Sequence, residues 1–273
     1  MQVINGMKDI TSSSNPIIKE VKGLYKKKER WNKNLFIIEG VKIVEECIRW
    51  GKTPKYILFS EELFSVNGGE ELFSILKNNH NLIKVPNSLF RELADTEKPQ
   101  GILAVVDFNI SKMDEVVKEK KNFIIILDEL QDPGNVGTII RSADAFGVSG
   151  IIVTENCVDV YNPKVVRATM GSLFHIPITY IKDKKEVINY LKDRQIRIYT
   201  TSLQGETYIY DADFKDNFAF IIGNESKGVT EEMIKFADLL IKIPMEGNAE
   251  SLNAAIASSI IMYEVARQRF NIS

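Results

Sequence analysis

Apolar positions along the chain change period repeatedly. Short, nearly continuous apolar runs fall at Leu35 to Ile38, Tyr56 to Phe59, Leu82 to Val85 and Gly101 to Val106. They recur at Phe123 to Leu127, Gly150 to Val153, Ile176 to Tyr180, Ile196 to Thr200, Phe218 to Ile222 and Leu239 to Ile243. Runs of this length bounded by polar or glycine residues read as strands, and the FIIIL run reads as one buried on both faces of a parallel sheet. Between them the period lengthens to that of helices, at Pro16 to Arg30, Val41 to Trp50, Glu70 to Lys77, Asn87 to Ala94, Val136 to Phe146, Asn162 to Gly171 and Lys184 to Lys192. Val44, Cys47 and Ile48 form the inward face of one, and Ile139, Ile140, Ala143 and Phe146 that of another, with Arg141 turned toward the loop side.

Alternation of strands and helices with short connections predicts layered α/β architecture. The polar, lysine-rich stretch from Phe108 to Lys121 has little periodicity beyond Met113, Val116 and Val117. It divides the chain into a smaller α/β module (1–107), a linker with a helical turn (108–121) and a larger α/β domain (122–273).

The densest signals lie between Phe220 and Glu264. Two strands there end in loops, one holding Gly223, Asn224, Glu225 and Gly228, the other Pro244, Met245, Gly247 and Asn248. Open α/β sheets bind ligands in such crevices, where strand ends and helix N-termini expose backbone donors and acceptors. A long helix should begin near Ser251, capped by Asn248 or Ser251, with Glu250 beside its N-terminal dipole. Leu252, Ile256, Ile260 and Tyr263 are its expected buried face. Ala254, Ala255, Ala257, Ser258 and Ser259 would let another backbone pack close, at a crowded site or a subunit contact.

Composition narrows the classes. The 44% apolar and 26% charged fractions are those of an ordinary globular chain, and no apolar run approaches the roughly 18 residues a membrane span needs. With no signal-peptide pattern either, a cytoplasmic protein is expected. Cys47 and Cys157 lie far apart, and with only His80 and His175 besides, neither a disulfide nor a transition-metal site is expected; His175 reads as a core or edge residue. The net charge of −2 hides a basic run, Lys19, Lys22, Lys26, Lys27, Lys28, Arg30 and Lys33, opposed mainly by Glu20 and Glu29. Such a run is a phosphate-binding patch or a solvated helix face.

GNESKGVT has the glycine spacing of a P-loop, but Val229 stands where the phosphate-binding lysine belongs, and the glycines of DPGNVG do not fit a dinucleotide fingerprint. Taken together, three loops change the picture: N-x-G-T-x-x-R (Asn135, Gly137, Thr138, Arg141), G-N-E-x-x-G (Gly223, Asn224, Glu225, Gly228) and I-P-M-x-G-x-x-x-S-L-N (Ile243, Pro244, Met245, Gly247, Ser251, Leu252, Asn253). Their order, spacing and strand context resemble the SpoU (TrmH) branch of the SPOUT RNA methyltransferases. The N-terminal module resembles the L30e-like substrate-binding domain, with LFIIEGVKIVEE as its strand-to-helix turn.

The resemblance implies a deep trefoil knot in the C-terminal domain, a homodimer formed through that domain, and S-adenosylmethionine as methyl donor to a ribose 2′-hydroxyl of structured RNA. Ribosomal RNA is the first expectation; transfer RNA, or a non-catalytic RNA-binding platform on the same fold, is the alternative. It implies catalytic roles for Arg141, Asn135, Glu225, Ser251 and Asn253, with Asn135 orienting Arg141 or the ribose. Cofactor contacts are implied from Gly223, Asn224, Glu225, Gly228, Ile243, Met245, Ser251 and Leu252. For RNA the candidates are Lys22, Lys26, Lys27 and Arg30 from the basic run, and Arg267 and Arg269 after the final helix. Arg141 is proposed in the family as a base, but a guanidinium is almost never deprotonated in proteins, so phosphate binding and alkoxide stabilisation is the physically preferred role.

Overall fold

A computed structural model of the chain describes residues 8–77, 81–119, 121–202 and 205–270. His80, weighed above as a metal ligand, lies outside them. The chain forms two compact units, one of residues up to Asn109 together with Asp159–Phe174, the other of Ile110–Val158 and His175 onward.

The first unit contains β1 (Lys8–Asp9), α1 (Pro16–Gly23), α2 (Lys27–Lys33), β2 (Leu35–Glu39), α3 (Val41–Arg49), β3 (Tyr56–Phe59), α4 (Gly69–Leu76), β4 (Leu82–Lys84), α5 (Asn87–Leu93) and β5 (Ile102–Asp107). The strands form one sheet in the order β1-β4-β3-β5-β2, with β5 antiparallel to both neighbours. The single basic helix expected from Pro16 to Arg30 is broken in two. Asn15 caps α1 by accepting from the Ile17 N–H (2.9 Å), and the chain turns at Leu24 before α2 begins.

Arg30 explains the break. Only 2% exposed, it donates from Nε and Nη2 to Asp159 Oδ2 (2.9 and 2.6 Å) and from Nη1 to the carbonyls of Leu24 (2.8 Å) and Tyr25 (3.0 Å). The fork of one guanidinium satisfies the carbonyls of the turn while its charge is matched by a carboxylate distant in sequence. Arg30 is therefore withdrawn from the phosphate-binding patch. Around the same segment Tyr161 stacks on Phe108 (centroids 3.8 Å) and tilts against Phe36. Asp159–Phe174, which includes α8 (Pro163–Thr169), thus belongs to the core of this unit rather than to the one that its neighbours in sequence build.

The second unit contains α6 (Met113–Val116), β6 (Phe123–Asp128), α7 (Pro133–Ala145), β7 (Gly150–Thr154), β8 (Ile178–Ile181), α9 (Lys184–Lys192), β9 (Arg197–Thr201), β10 (Thr207–Tyr208), β11 (Phe218–Gly223), α10 (Glu231–Phe236), β12 (Leu239–Lys242) and α11 (Ala254–Arg269). Its sheet runs β10-β12-β9-β11-β6-β7-β8 and is parallel throughout. β12 lies between β9 and β10 although it follows both in sequence. The chain joining β9 to β11 therefore crosses to the far side of β12 and returns. At that crossing a Cβ on Gly205 would stand 2.7 Å from the Leu240 carbonyl oxygen.

Helix α11 presents to the core the face opposite to that expected. Ala255, Ser258, Ile261, Met262 and Val265 are buried, whereas Ile256 (54%), Ile260 (37%) and Tyr263 (54%) are exposed. The small residues permit close approach to α7, where Ser142 and Ser259 share a hydroxyl hydrogen bond (2.9 Å). Ser258 and Ser259 return their hydroxyls to their own helix, at Ala254 O and Ala255 O.

Replacing Arg30 by Ala strands the buried Asp159 carboxylate, a change that costs about 3–5 kcal/mol when one partner of a buried pair is removed. Urea unfolding of the full chain should show that loss at unchanged slope; a variant as stable as the parent would show that the pair carries no such weight.

Candidate functional site

β6 and β11 pair in parallel register from Phe218↔Phe123 to Gly223↔Asp128, so both strands end at the same level. The turn at 128–132 and the loop at 224–230 leave side by side. Asp132 closes the first by capping α7, its Oδ1 accepting from the Asn135 N–H (2.7 Å), with Pro133 in the first helical turn, where its missing N–H costs nothing. The second folds into a tight hairpin in which Asn224 and Gly228 exchange backbone bonds, both 2.9 Å. Gly223 is obligatory here, because a Cβ would meet Val229 N at 2.1 Å and the Gly228 carbonyl carbon at 2.3 Å.

Side chains then weld the two turns. Asn224 accepts from the Ser226 and Lys227 N–H groups and donates through Nδ2 to Glu129 O (2.9 Å). Glu225 Oε1 accepts from the Asp132 N–H and from Asn135 Nδ2 (both 3.1 Å), and Oε2 from the Gln131 N–H (3.3 Å). Asn135 in turn accepts through Oδ1 from Asn253 Nδ2 (2.9 Å). Asn253 Oδ1 caps α11, taking the N–H groups of Ala255 (2.9 Å) and Ile256 (3.2 Å). The cap is thus Asn253, not Asn248 or Ser251, and Glu250 lies outside the first turn.

Burial pushes the Glu225 carboxyl up, but the hydrogen bonds from Asn135, Asp132 and Gln131 outweigh it and hold the group below the usual carboxylate range. A cavity of about 420 Å³ opens over this chain, lined by Asn135, Glu225 and Asn253 together with Asp132, Ser251, Leu252 and Ala254. Residues 244–252 make no backbone–backbone hydrogen bond among the described residues.

Comparison with known proteins finds matches to both modules. The profile of the SpoU rRNA Methylase family covers residues 122–263, and that of the MRM3-like substrate binding domain covers residues 15–104. The chain belongs to the SpoU rRNA methylase family. It is 34% identical over 259 residues to the 23S rRNA (guanosine(2553)-2'-O)-methyltransferase RlmP of Bacillus subtilis (strain 168), covering 95% of this chain and 99% of that protein. It is 32% identical to the 23S rRNA (uridine(2479)-2'-O)-methyltransferase of Streptomyces viridochromogenes, covering 86% and 84%. The solved structure of the SpoU methyltransferase AviRb from Streptomyces viridochromogenes, in complex with the cofactor AdoMet, matches with a TM-score of 0.85 at 30% identity over 94% of this chain and 98% of that one.

All three SpoU motifs contribute to the cavity or its frame, yet not every expected residue does. Arg141 is exposed on α7, does not line the cavity, and has no polar partner among the described residues. Asn135 does not orient it, because both ends of its amide are committed to Glu225 and Asn253. Ser251 and Leu252 line the cavity, whereas Gly223, Asn224, Gly228 and the half-buried Ile243 and Met245, also expected at the cofactor, do not.

Among the RNA candidates, Arg269 is removed as Arg30 was. It donates to Phe214 O (2.8 Å), Asn122 O (3.0 Å) and Asp216 O (2.6 Å), tying the C-terminus of α11 to the far edge of the core. Arg267 is exposed but paired with Glu264 (2.7 Å), and Lys22 with Glu92 (2.8 Å). Lys26 and Lys27, with Lys28, are exposed and have no acidic partner among the described residues.

Because the folded Glu225 carboxyl is held low, its contribution to the junction is complete above the ordinary carboxylate value and is lost only as pH falls through the lower folded value. An NMR titration should therefore find the Asn135 side-chain amide unmoved as exposed glutamates titrate, shifting only at lower pH. In a Glu225→Gln variant that late shift should disappear.

Proposed function

We propose that this chain transfers a methyl group from S-adenosylmethionine to a ribose 2′-hydroxyl of ribosomal RNA. The observation that carries the reading is the Asn253–Asn135–Glu225 hydrogen-bond chain, which draws all three motif loops around one cavity. The residues fit the cofactor: the volume is within the range of small-molecule sites, Leu252 and Ala254 offer apolar contact, and the backbone of 244–252, without backbone–backbone hydrogen bonds among the described residues, suits the edges of an adenine. Gly223, Asn224 and Gly228 shape the hairpin beside it. When bound, the cofactor supplies an electrophilic methyl group.

The chain's own task is alignment and charge. Asn135, Glu225 and Asn253 hold the loops in register, and Ser251 offers a hydroxyl at the mouth. Arg141 stands six residues along α7 from Asn135, about 9 Å along the helix axis at the usual rise. With no polar partner among the described residues, it is the candidate to bind the phosphate next to the target ribose and to lower the cost of alkoxide formation. Lys26, Lys27 and Lys28 supply sequence-independent phosphate contacts from the first unit. Ribosomal RNA is favoured because the relatives named for it align with this chain over most of both lengths; their target bases differ, so the nucleotide identity does not transfer. The work is assigned to the cytoplasm.

A homodimer through α11 is supported by Ile256, Ile260 and Tyr263, which with Thr138, Ala255 and Ser259 line a shallow, apolar depression of about 330 Å³. The knotted path is supported by the crossing of the β9–β11 connection around β12.

Calorimetric titration with S-adenosylmethionine and S-adenosylhomocysteine, followed by methylation of ribosomal RNA transcripts and alkaline cleavage, tests the reading. Saturable binding and one alkali-resistant linkage are expected; binding of neither cofactor form, with or without RNA, would overturn it. Arg141→Ala should lower transfer by about 10²–10³-fold, the scale for removal of one electrostatic stabiliser, with cofactor affinity changed only a few fold. Ile260→Asp should shift the sedimentation of the protein from dimer to monomer.

A further inference from the structure

Behind the loop junction lies a charged cluster that the sequence motifs do not include. Asp128, at the end of β6, is fully buried. Its Oδ2 accepts from the Thr230 N–H (2.9 Å), and its Oδ1 is paired with Lys184 Nζ (2.7 Å), from the first turn of α9. The same ammonium reaches Glu129 Oε1 (3.0 Å) and Thr230 Oγ1 (3.3 Å). One cation therefore touches both turns, Asp128 and Glu129 on one side and Thr230 on the other. Those turns carry the Gln131 and Asp132 N–H groups and the Asn224 side chain that hold Glu225 and the hairpin.

The geometry points to Lys184 as a positioning residue for the methyl-transfer site: through buried Asp128 it sets the 128–132 turn against the 224–230 loop, and so fixes Glu225 beneath the cavity. The inference rests on the function proposed above. A carboxylate with no solvent access depends on a neighbouring cation and hydrogen-bond donors, and here those are Lys184 and the Thr230 N–H. Burial works against the charge of Lys184, but its ion pairs with Asp128 and Glu129 outweigh it and hold the ammonium above its usual range. The Cys157 thiol, from the segment after β7, is also near Asp128, and burial keeps it protonated. Lys184 is the cation within ion-pair distance of Asp128, and Met in its place would leave the carboxylate uncompensated.

Three proteins test this: the parent, Lys184→Met, and Lys184→Met combined with Asp128→Asn. The second change removes the stranded charge yet keeps an acceptor for the Thr230 N–H. Amide hydrogen exchange and S-adenosylmethionine titration are read together. In Lys184→Met the amides of 131–132 and 224–230 should exchange at least ~10-fold faster while those of β7 and β8 do not change, because local opening has its own free energy. Cofactor affinity should fall in proportion to the closed fraction that remains, since only the closed junction binds. The double variant should recover both. Unchanged protection in Lys184→Met, or a uniform acceleration across the sheet that the double variant does not reverse, would overturn the assignment. If Lys184→Met does not fold, the double variant decides alone, with parent-like protection of both turns expected and rapid exchange there overturning. Should the exchange pattern hold while the parent binds no cofactor, the positioning role stands and the methyltransferase reading falls.

Discussion

The register of β6 on β11 is the constraint on which the rest of the site depends. Gly223 opposite Asp128 puts two chain reversals at one height, close enough for a single carboxylate, Glu225, to take N–H groups from one while belonging to the other. Because side chains alternate along a strand, a slip of one residue would exchange the faces on which Asp128 and its neighbours lie and take both turns out of reach. The continuous burial of Phe123 to Asp128 and of Phe218 to Ile222 prevents that slip, since every position of both strands is packed. Core packing here does not merely support the site; it sets the height at which the loops begin.

Much of this was legible in the sequence, and the reasons for the exceptions are physical. Parallel central strands announce themselves as unbroken apolar runs, and the central strands fall within a residue or two of those runs, whereas the two-residue edge strands β1 and β10, too short to form a run, are not anticipated. The start of α7 was read three residues late, because Pro133 and Gly134 look like loop residues when the capping by Asp132 is not seen. The buried face of α11 was inverted for a different reason. Side-chain size alone predicts that Ile256, Ile260 and Tyr263 face the core, whereas Ala255 and Ser258 are buried because their smallness lets α7 come near, and the larger residues are displaced outward. The three motif loops were legible as a resemblance; the bonds among Asn253, Asn135 and Glu225 that make them one site were not, since their partners lie about a hundred residues apart.

Basic residues show the same limit. A sequence count cannot distinguish an arginine that meets solvent from one whose fork is consumed by backbone carbonyls, and Arg30 and Arg269 are of the second kind. Each closes a place where the chain leaves regular structure and carbonyls would otherwise be unpaired. Of the candidates named for RNA, Arg141 on α7 and Lys26 and Lys27, with Lys28 beside them, are exposed without an acidic partner among the described residues.

The two halves of the cavity are built on opposite principles. Its floor, from Asp128 to Asn135 and from Gly223 to Thr230, is dense in side-chain-to-backbone bonds and is tied to a buried ion pair. Its rim, residues 244–252, has no backbone bond among the described residues and is held at its ends by β12 and by the Asn253 cap. A rim of that kind has backbone donors and acceptors to offer a ligand, and affinity there is what exceeds the cost of fixing both. Asn253 joins the two principles. One end of its amide starts the rigid helix and the other grips Asn135 in the floor, so any movement of the rim toward a ligand is made against a fixed point beside Glu225.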